Sequence, residues 1–172
     1  AARIDKLVAR AKELGMESLA ITDHGVMFGC VQFYEECKKQ GIKPIIGCEV
    51  YTAARTRYDK DPVLDKHQGH LILLAKNLTG YHNLVRLISE AHIHGFYYNA
   101  RIDHRLLEKY HEGIMCSSAC IAGEVAAAID IGRMDEAERV AKWYKDLFGD
   151  DYTLEVMLHK SVKTNIPGDA ID

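Results

Sequence analysis

The sequence lacks the long apolar stretch that a membrane-spanning helix needs. No apolar run approaches the roughly 18 residues that a bilayer requires, and no secretory leader is expected before the first predicted helix. The five cysteines are an odd number and include no Cys-x-x-Cys pair. A disulfide framework is therefore not indicated, and free thiols in a reducing compartment are expected. We predict a cytoplasmic protein with no membrane partner.

A strong charge of one sign is also missing, as are several catalytic signatures. The formal net charge is −3, which argues against a chain that holds nucleic acid through its overall charge. The sequence contains no glycine-rich phosphate loop and no recognisable Ser-His-Asp or Cys-His arrangement. It does contain 172 residues, 48% of them hydrophobic, and nine histidines. This length supports one domain with its own hydrophobic core. The number of histidines makes a metal site a candidate.

Buried-strand patterns alternate with amphipathic helical patterns along the chain. We predict parallel strands near residues 19–22, 44–51, 70–75, 113–118 and 152–158, with helices between them. The charged segment 55–66 reads as a mobile loop, and a polar tail follows residue 160. The fold class is therefore α/β, with a mainly parallel sheet covered by helices.

Polar residues occur at or beside the ends of several predicted strands. Asp23 and His24 follow the first strand, Glu49 interrupts the second, His70 opens the third and Cys120 follows the fourth. Each has an ordinary alternative: Asp23 could cap the next helix, Glu49 could be a solvent-facing edge charge, and Cys120 could be a buried small hydrophobe. Taken together, imidazole, carboxylate and thiolate suit zinc or a similar ion.

Other candidates are predicted to be less informative. His92 and His94 lie in the last turn of a predicted helix, where histidine interacts favourably with the helix dipole, and His104 lies in polar surroundings. Tyr97, Tyr98 and Arg101 could bind nucleic acid by stacking and charge, but packing is the commoner role of such a group. Spacing alone shows neither whether the histidines bind a metal nor whether the tyrosines and Arg101 bind nucleic acid.

Longer blocks of sequence carry a resemblance to a known family. They are Ala-Ile-Thr-Asp-His-Gly at 20–25 together with segments 41–51, 70–77, 95–98, 101–103 and 118–124. In this order they resemble the polymerase-and-histidinol-phosphatase (PHP) domain of bacterial replicative DNA polymerase III alpha subunits. The resemblance implies a distorted seven-stranded β/α barrel, here truncated, because the family's first barrel strand would lie before Ala1 and its last beyond Asp172. The partial PHP domain would span residues 1–160. Residues 161–172 would be a polar tail or the start of the missing part.

The resemblance also implies a metal site and partners. His24, Glu49, His70 and Cys120 match the family's metal-ligand positions, with Asp23 and His159 as further candidates. Zinc or manganese would be the cofactor, held weakly by an incomplete site. The partners would be the rest of the alpha subunit, replisome subunits that include a proofreading exonuclease, and DNA through the parent. The domain would be structural, or a metal-dependent 3′–5′ exonuclease in the parent. The alternative is a stand-alone PHP phosphoesterase such as a histidinol phosphatase.

Overall fold

The computed structural model describes residues 2–157. Within them the chain forms six α-helices, seven strands and one 3₁₀ turn: α1 (Ile4–Glu13), β1 (Ser18–His24), α2 (Cys30–Gln40), β2 (Lys43–Ala53), β3 (Gln68–Ala75), α3 (Leu78–His94), β4 (Phe96–Tyr97), β5 (Asn99–Ile102), α4 (His104–Tyr110), β6 (Ile114–Ser117), α5 (Glu124–Asp130), α6 (Met134–Phe148), the 3₁₀ turn (Gly149–Asp151) and β7 (Tyr152–Thr153). No helix in this range is long and apolar enough to cross a bilayer.

The strands form one mixed sheet in which five of the seven run in the same direction. β2 pairs in parallel with β1 and β5, and β6 pairs in parallel with β7. β3 is antiparallel to both of its neighbours, and β4 is antiparallel to β5. The predicted α/β class with a mainly parallel sheet is confirmed. In the described residues β1 pairs only with β2 and β7 only with β6, so the sheet stays open, as an incomplete barrel does.

The direction of β3 corrects the prediction of a parallel strand at 70–75. Segment 54–67, which joins β2 to β3, contains no helix or strand. A parallel neighbour requires a crossover across the face of the sheet, usually through a helix. Without one, the chain turns back beside β2 and β3 pairs with it antiparallel, so that His70 lies opposite Tyr51.

Alternation along β2 and β3 gives the sheet two different faces. Val50, Leu71 and Leu73 are almost fully buried, with relative exposures of 1%, 2% and 0%. They pack with residues of α3 and α6 in the larger hydrophobic core. Glu49 and His70 alternate with them and therefore lie on the opposite face, where they are half-buried.

A second core lies between α1, α2 and β1. It contains Val8, Phe33 and Cys37, all with 0% exposure. Burying an apolar side chain of this size contributes roughly 1.5–3 kcal/mol. α2 ends at Gly41, whose φ of 77° is left-handed, as predicted for a glycine that stops a helix. This core fixes the position of β1 and hence of His24 at its end.

The charged loop predicted to be mobile is tied to the body of the protein. Arg101 is fully buried and donates hydrogen bonds to the carbonyl oxygens of Arg57 and Asp59, at 3.2 and 2.8 Å. Asp65 has 0% exposure and accepts a hydrogen bond from Arg55 Nε at 2.9 Å. Two buried charges of opposite sign therefore hold segment 54–67, which a count of its charged residues does not reveal.

The last predicted strand is shorter than expected. β7 has two residues, Tyr152 and Thr153, which pair with Cys116 and Ser117 of β6. The rest of the predicted strand reaches Leu158, which with His159 and the polar tail lies outside the described residues.

Candidate metal centre

Three strands bring candidate side chains to one edge of the sheet. His24 is the last residue of β1 and lies beside Glu49 in the parallel register of β1 and β2. β3 runs in the opposite direction, so its first residues lie where β1 and β2 finish their common course. His70, near the start of β3, therefore reaches the same edge that the ends of the parallel strands reach.

Glu49, His70 and Cys120 converge. His70 Nδ1 lies 2.8 Å from Glu49 Oε1 and 3.5 Å from Cys120 Sγ. One donor atom from each of the three residues lies within 4.8 Å of the other two, and all three residues are half-buried. A carboxylate oxygen, an imidazole nitrogen and a thiol sulfur are donors that zinc accepts together. The set therefore fits a divalent transition metal by its chemistry.

His24 lies beside this group but outside it. Its Nδ1 is 3.6 Å from Glu49 Oε1, and its side chain is 64% exposed. Its ring centroid is 6.4 Å from that of His70. His24 thus contacts Glu49 at the end of β1 without joining the three converging donors.

Asp23 faces away from the centre, towards the start of α2. An added Cβ at Gly29 would lie 3.0 Å from Asp23 Oδ2. The predicted capping role is not observed, because the residue that precedes α2 is Gly29 and no side chain caps it. Of the two further candidates, Asp23 is close in sequence only, and His159 lies outside the described residues.

The loop that carries Cys120 has an unusual backbone. Ala119 has a φ of 61°, in the left-handed region that residues other than glycine rarely adopt. Cys120 is also the one half-exposed thiol, since Cys30, Cys37, Cys48 and Cys116 are buried. Burial, with a smaller contribution from Asp23, raises the pKa of Cys30 to about 11. The alternative role as a buried small hydrophobe suits those four cysteines better than Cys120.

A cluster at the start of α5 anchors this loop. Glu124 accepts hydrogen bonds from the Tyr144 hydroxyl at 2.8 Å and pairs with His104 Nε2 at 3.0 Å. Burial acts to raise the pKa of Glu124, but the hydrogen bond and charge of His104 hold it below its usual value. The His104 ring also stacks on Trp143, with centroids 3.9 Å apart. His104, whose side chain is 37% exposed, therefore belongs to a partly solvated polar cluster that no short motif signals.

The remaining predicted candidates do not join the centre. His92 Nε2 lies 2.9 Å from the carbonyl oxygen of Gly25, and His94 lies 3.9 Å from Glu90. Arg101 is buried beneath the loop and so cannot meet a phosphate, whereas Tyr98 is 71% exposed. Arg101 is thus the member of the Tyr97–Tyr98–Arg101 group that packs in the interior, and stacking of a nucleic acid on the two tyrosines stays a prediction.

Comparison with known proteins places these features in a family. A family model described as the PHP domain matches residues 1–159. DNA polymerase III subunit alpha of Borreliella burgdorferi is 47% identical over 160 residues, which is 92% of this chain and 14% of that protein. The subunits of Chlamydia trachomatis and Aquifex aeolicus are 46% and 43% identical, over 95% and 97% of this chain and 13% and 14% of those proteins. The chain thus spans about one seventh of the length of these relatives.

Similarity to solved structures is lower. An amidohydrolase from Chromobacterium violaceum aligns with a TM-score of 0.40 and 18% identity, covering 85% of this chain and 45% of that one. This value supports no conclusion about the site. The family model covers most of the chain, and on that match the chain belongs to the PHP domain family.

Proposed function

We propose that this chain is part of the PHP domain of a bacterial DNA polymerase III alpha subunit, in which it binds a divalent metal and serves chiefly as a structural support. The observation that carries the proposal is the convergence of Glu49, His70 and Cys120 at one sheet edge. The identity of 43–47% to alpha subunits over nearly the whole chain supports the choice of parent. DNA synthesis would belong to the parent.

The proposed ligands are Glu49, His70 and Cys120, with His24 completing the set after a rotation of its side chain. Zinc is the first choice of metal because the set includes a thiol sulfur, and manganese is the second. Ligation through His70 Nδ1 requires the tautomer whose hydrogen lies on Nε2, so that Nδ1 has a free lone pair. A protonated imidazole cannot bind the metal and the Cys120 thiol must lose its proton, so the metal affinity will fall as the pH is lowered.

A bound divalent metal in this family of folds would polarise a phosphate oxygen and lower the pKa of a bound water. Without a metal, Glu49 and His70 hold each other in place through their 2.8 Å contact. A metal-dependent 3′–5′ exonuclease in the parent is the finer hypothesis that this chemistry allows. The partners proposed for the parent are the rest of the alpha subunit, a proofreading exonuclease and DNA.

Zinc titration of the 172-residue chain by calorimetry tests the metal site. We expect wild-type protein to bind about one zinc, and His70→Ala and Glu49→Gln to weaken binding at least tenfold, since each removes a proposed ligand. His82→Ala is the matched control, because His82 is an exposed histidine on α3. Tight binding that is indifferent to both ligand substitutions would place the metal elsewhere.

Three activity assays separate the functional alternatives. The isolated chain should extend no primer, since only the PHP region of the relatives is matched. If it releases nucleotides from a DNA 3′ end in a zinc- or manganese-dependent way, and Glu49→Gln abolishes the release, the centre is hydrolytic. Release of phosphate from histidinol phosphate would instead favour the small-molecule phosphoesterase.

A further inference from the structure

The turn at the end of β1, residues 23–26, is held by contacts from two other elements, β2 and α3. The Gly25 backbone N–H donates to the Glu49 carbonyl oxygen at 2.8 Å. Cys48 Sγ contacts the carbonyl oxygens of Asp23 and Val26 at 3.2 and 3.4 Å. These contacts all come from β2, the strand that already pairs with β1.

A further contact comes from α3. His92, in the last turn of α3, places Nε2 at 2.9 Å from the Gly25 carbonyl oxygen. A carbonyl oxygen only accepts, so His92 Nε2 carries the hydrogen and donates it. Among the described residues, His92 is the one side chain from outside β1 and β2 that hydrogen-bonds to this turn.

The turn needs such a restraint. Gly25 has a φ of 67°, a conformation that glycine enters and leaves at little cost. A side chain there would be strained, and its Cβ would lie 3.1 Å from the Tyr51 ring. A glycine is therefore required at this position, and its freedom is transmitted to the neighbouring His24, whose exposed side chain packs little against the rest of the protein.

We infer that His92 is a positioning residue that fixes the Gly25 turn and, through it, holds His24 beside Glu49. The inference rests on the proposed metal site. In this inference α3 contributes no ligand of its own, but its residue His92 keeps His24 at the centre formed by Glu49, His70 and Cys120. Partners that orient a metal ligand typically change metal affinity by about 10–100-fold. A part-buried contact that reaches the ligand only through the turn should lie near the lower limit.

The chain offers a matched control two residues away. His94 lies in the same helical turn and is exposed like His92, but it pairs with Glu90 on its own helix at 3.9 Å and lies beside the Tyr58 ring, with centroids 6.3 Å apart. Substituting either histidine removes the same side chain from the same end of α3. Only His92 touches the turn beside His24.

Amide hydrogen exchange of the metal-free protein tests the contact itself. His92→Ala should speed exchange of the Gly25 N–H severalfold, because loss of one hydrogen bond frees the glycine that donates to Glu49. His94→Ala should leave that rate unchanged. His92→Gln should restore slow exchange, since its amide N–H can reach the same carbonyl. An unchanged Gly25 exchange rate in His92→Ala would overturn the inference, whether or not the protein binds zinc.

Zinc affinity tests the consequence. We expect His92→Ala to weaken zinc binding about tenfold, His94→Ala to have no effect and His92→Gln to recover most of the affinity. The His24→Ala/His92→Ala double variant should match His24→Ala alone, because the two residues act as one unit. Additive losses would show that His92 acts other than through His24 and would overturn the inference. If wild-type protein binds no zinc, the proposed metal site falls, and the exchange rates still decide whether His92 restrains the turn.

Discussion

The backbone N–H of His70 donates a hydrogen bond to the carbonyl oxygen of Ala122 at 3.0 Å. His70 also forms an isolated parallel bridge with Gly123. The main chain therefore joins the start of β3 to the loop that carries Cys120. Two proposed ligands 50 residues apart in sequence are thus held together by backbone contacts, and their proximity does not depend on a bound metal.

Alkylation should single out Cys120 among the five cysteines. Burial raises the pKa of Cys48 to about 12 and removes the other three buried thiols from solvent, so none of the four should react readily near neutral pH. We expect native protein to take up one iodoacetamide label rapidly, at Cys120, as read by mass spectrometry of peptides.

The controls for this labelling use the metal and the thiol itself. Added zinc should slow labelling of Cys120, and Cys120→Ser should remove the fast-reacting thiol without exposing the others. Rapid labelling of Cys116 in wild-type protein would contradict the burial on which the prediction depends.

The Arg55–Asp65 pair should make stability fall in strong acid. The hydrogen bond from Arg55 lowers the pKa of Asp65 from 3.8 to about 2. A carboxyl whose pKa is lower in the folded state stabilises the fold above the unfolded value, and this contribution disappears as the pH falls through the folded value. Wild-type protein should therefore be more stable than Asp65→Asn above pH 4, and the difference should shrink between about pH 4 and pH 2.

Thermal unfolding of both proteins across this pH range provides the measurement. Asp146→Asn is the control, because Asp146 forms an exposed pair with Lys142 on α6, and exposed pairs contribute little. A difference between wild type and Asp65→Asn that stays constant from pH 6 to pH 2 would contradict the prediction.

Gly80 should not tolerate even a methyl group. An added Cβ there would lie 1.9 Å from the carbonyl oxygen of Gly113, and backbone cannot move aside as a flexible side chain does. We expect Gly80→Ala to lower the free energy of unfolding by about 3 kcal/mol, at the upper end of the usual overpacking cost. Thr79→Ala, at an exposed position of the same helix, should change it little. Urea unfolding of both variants makes the comparison, and equal midpoints would refute it.

Much of the fold could be predicted from local pattern alone. The helices that end at Gly15 and Gly41 follow from amphipathic spacing and from a glycine at the stop, and both glycines have left-handed φ values. The direction of β3 could not be predicted this way, because a short apolar run looks the same in either direction. The direction of β3 is set by segment 54–67, which contains no crossover helix. The many charged residues of this segment do not by themselves indicate that a helix is missing.

The candidate site could likewise be predicted only in part. Residue type and strand position predict that Glu49, His70 and Cys120 are polar groups near strand ends. Their mutual distances depend on β3 running backwards and on the left-handed turn at Ala119, neither of which the sequence pattern reveals. The contacts of His92 with Gly25 and of His104 with Glu124 could not be predicted, because these partners are distant in sequence.

The backbone at Ala119 provides a test of how the Cys120 loop is held. Left-handed geometry costs a residue with a Cβ roughly 1–2 kcal/mol, and glycine avoids this cost but loses more entropy on folding, by roughly 0.5–1 kcal/mol. We therefore expect Ala119→Gly to change the free energy of unfolding by less than about 1 kcal/mol. Ala119→Val should destabilise by about 2 kcal/mol, since a β-branched residue suits this conformation worst. Zinc affinity, measured alongside urea unfolding, should be kept by the glycine variant and reduced by the valine variant, because only valine displaces Cys120. If both variants are destabilised alike, packing around the buried Ala119 methyl group fixes the loop, and backbone conformation does not.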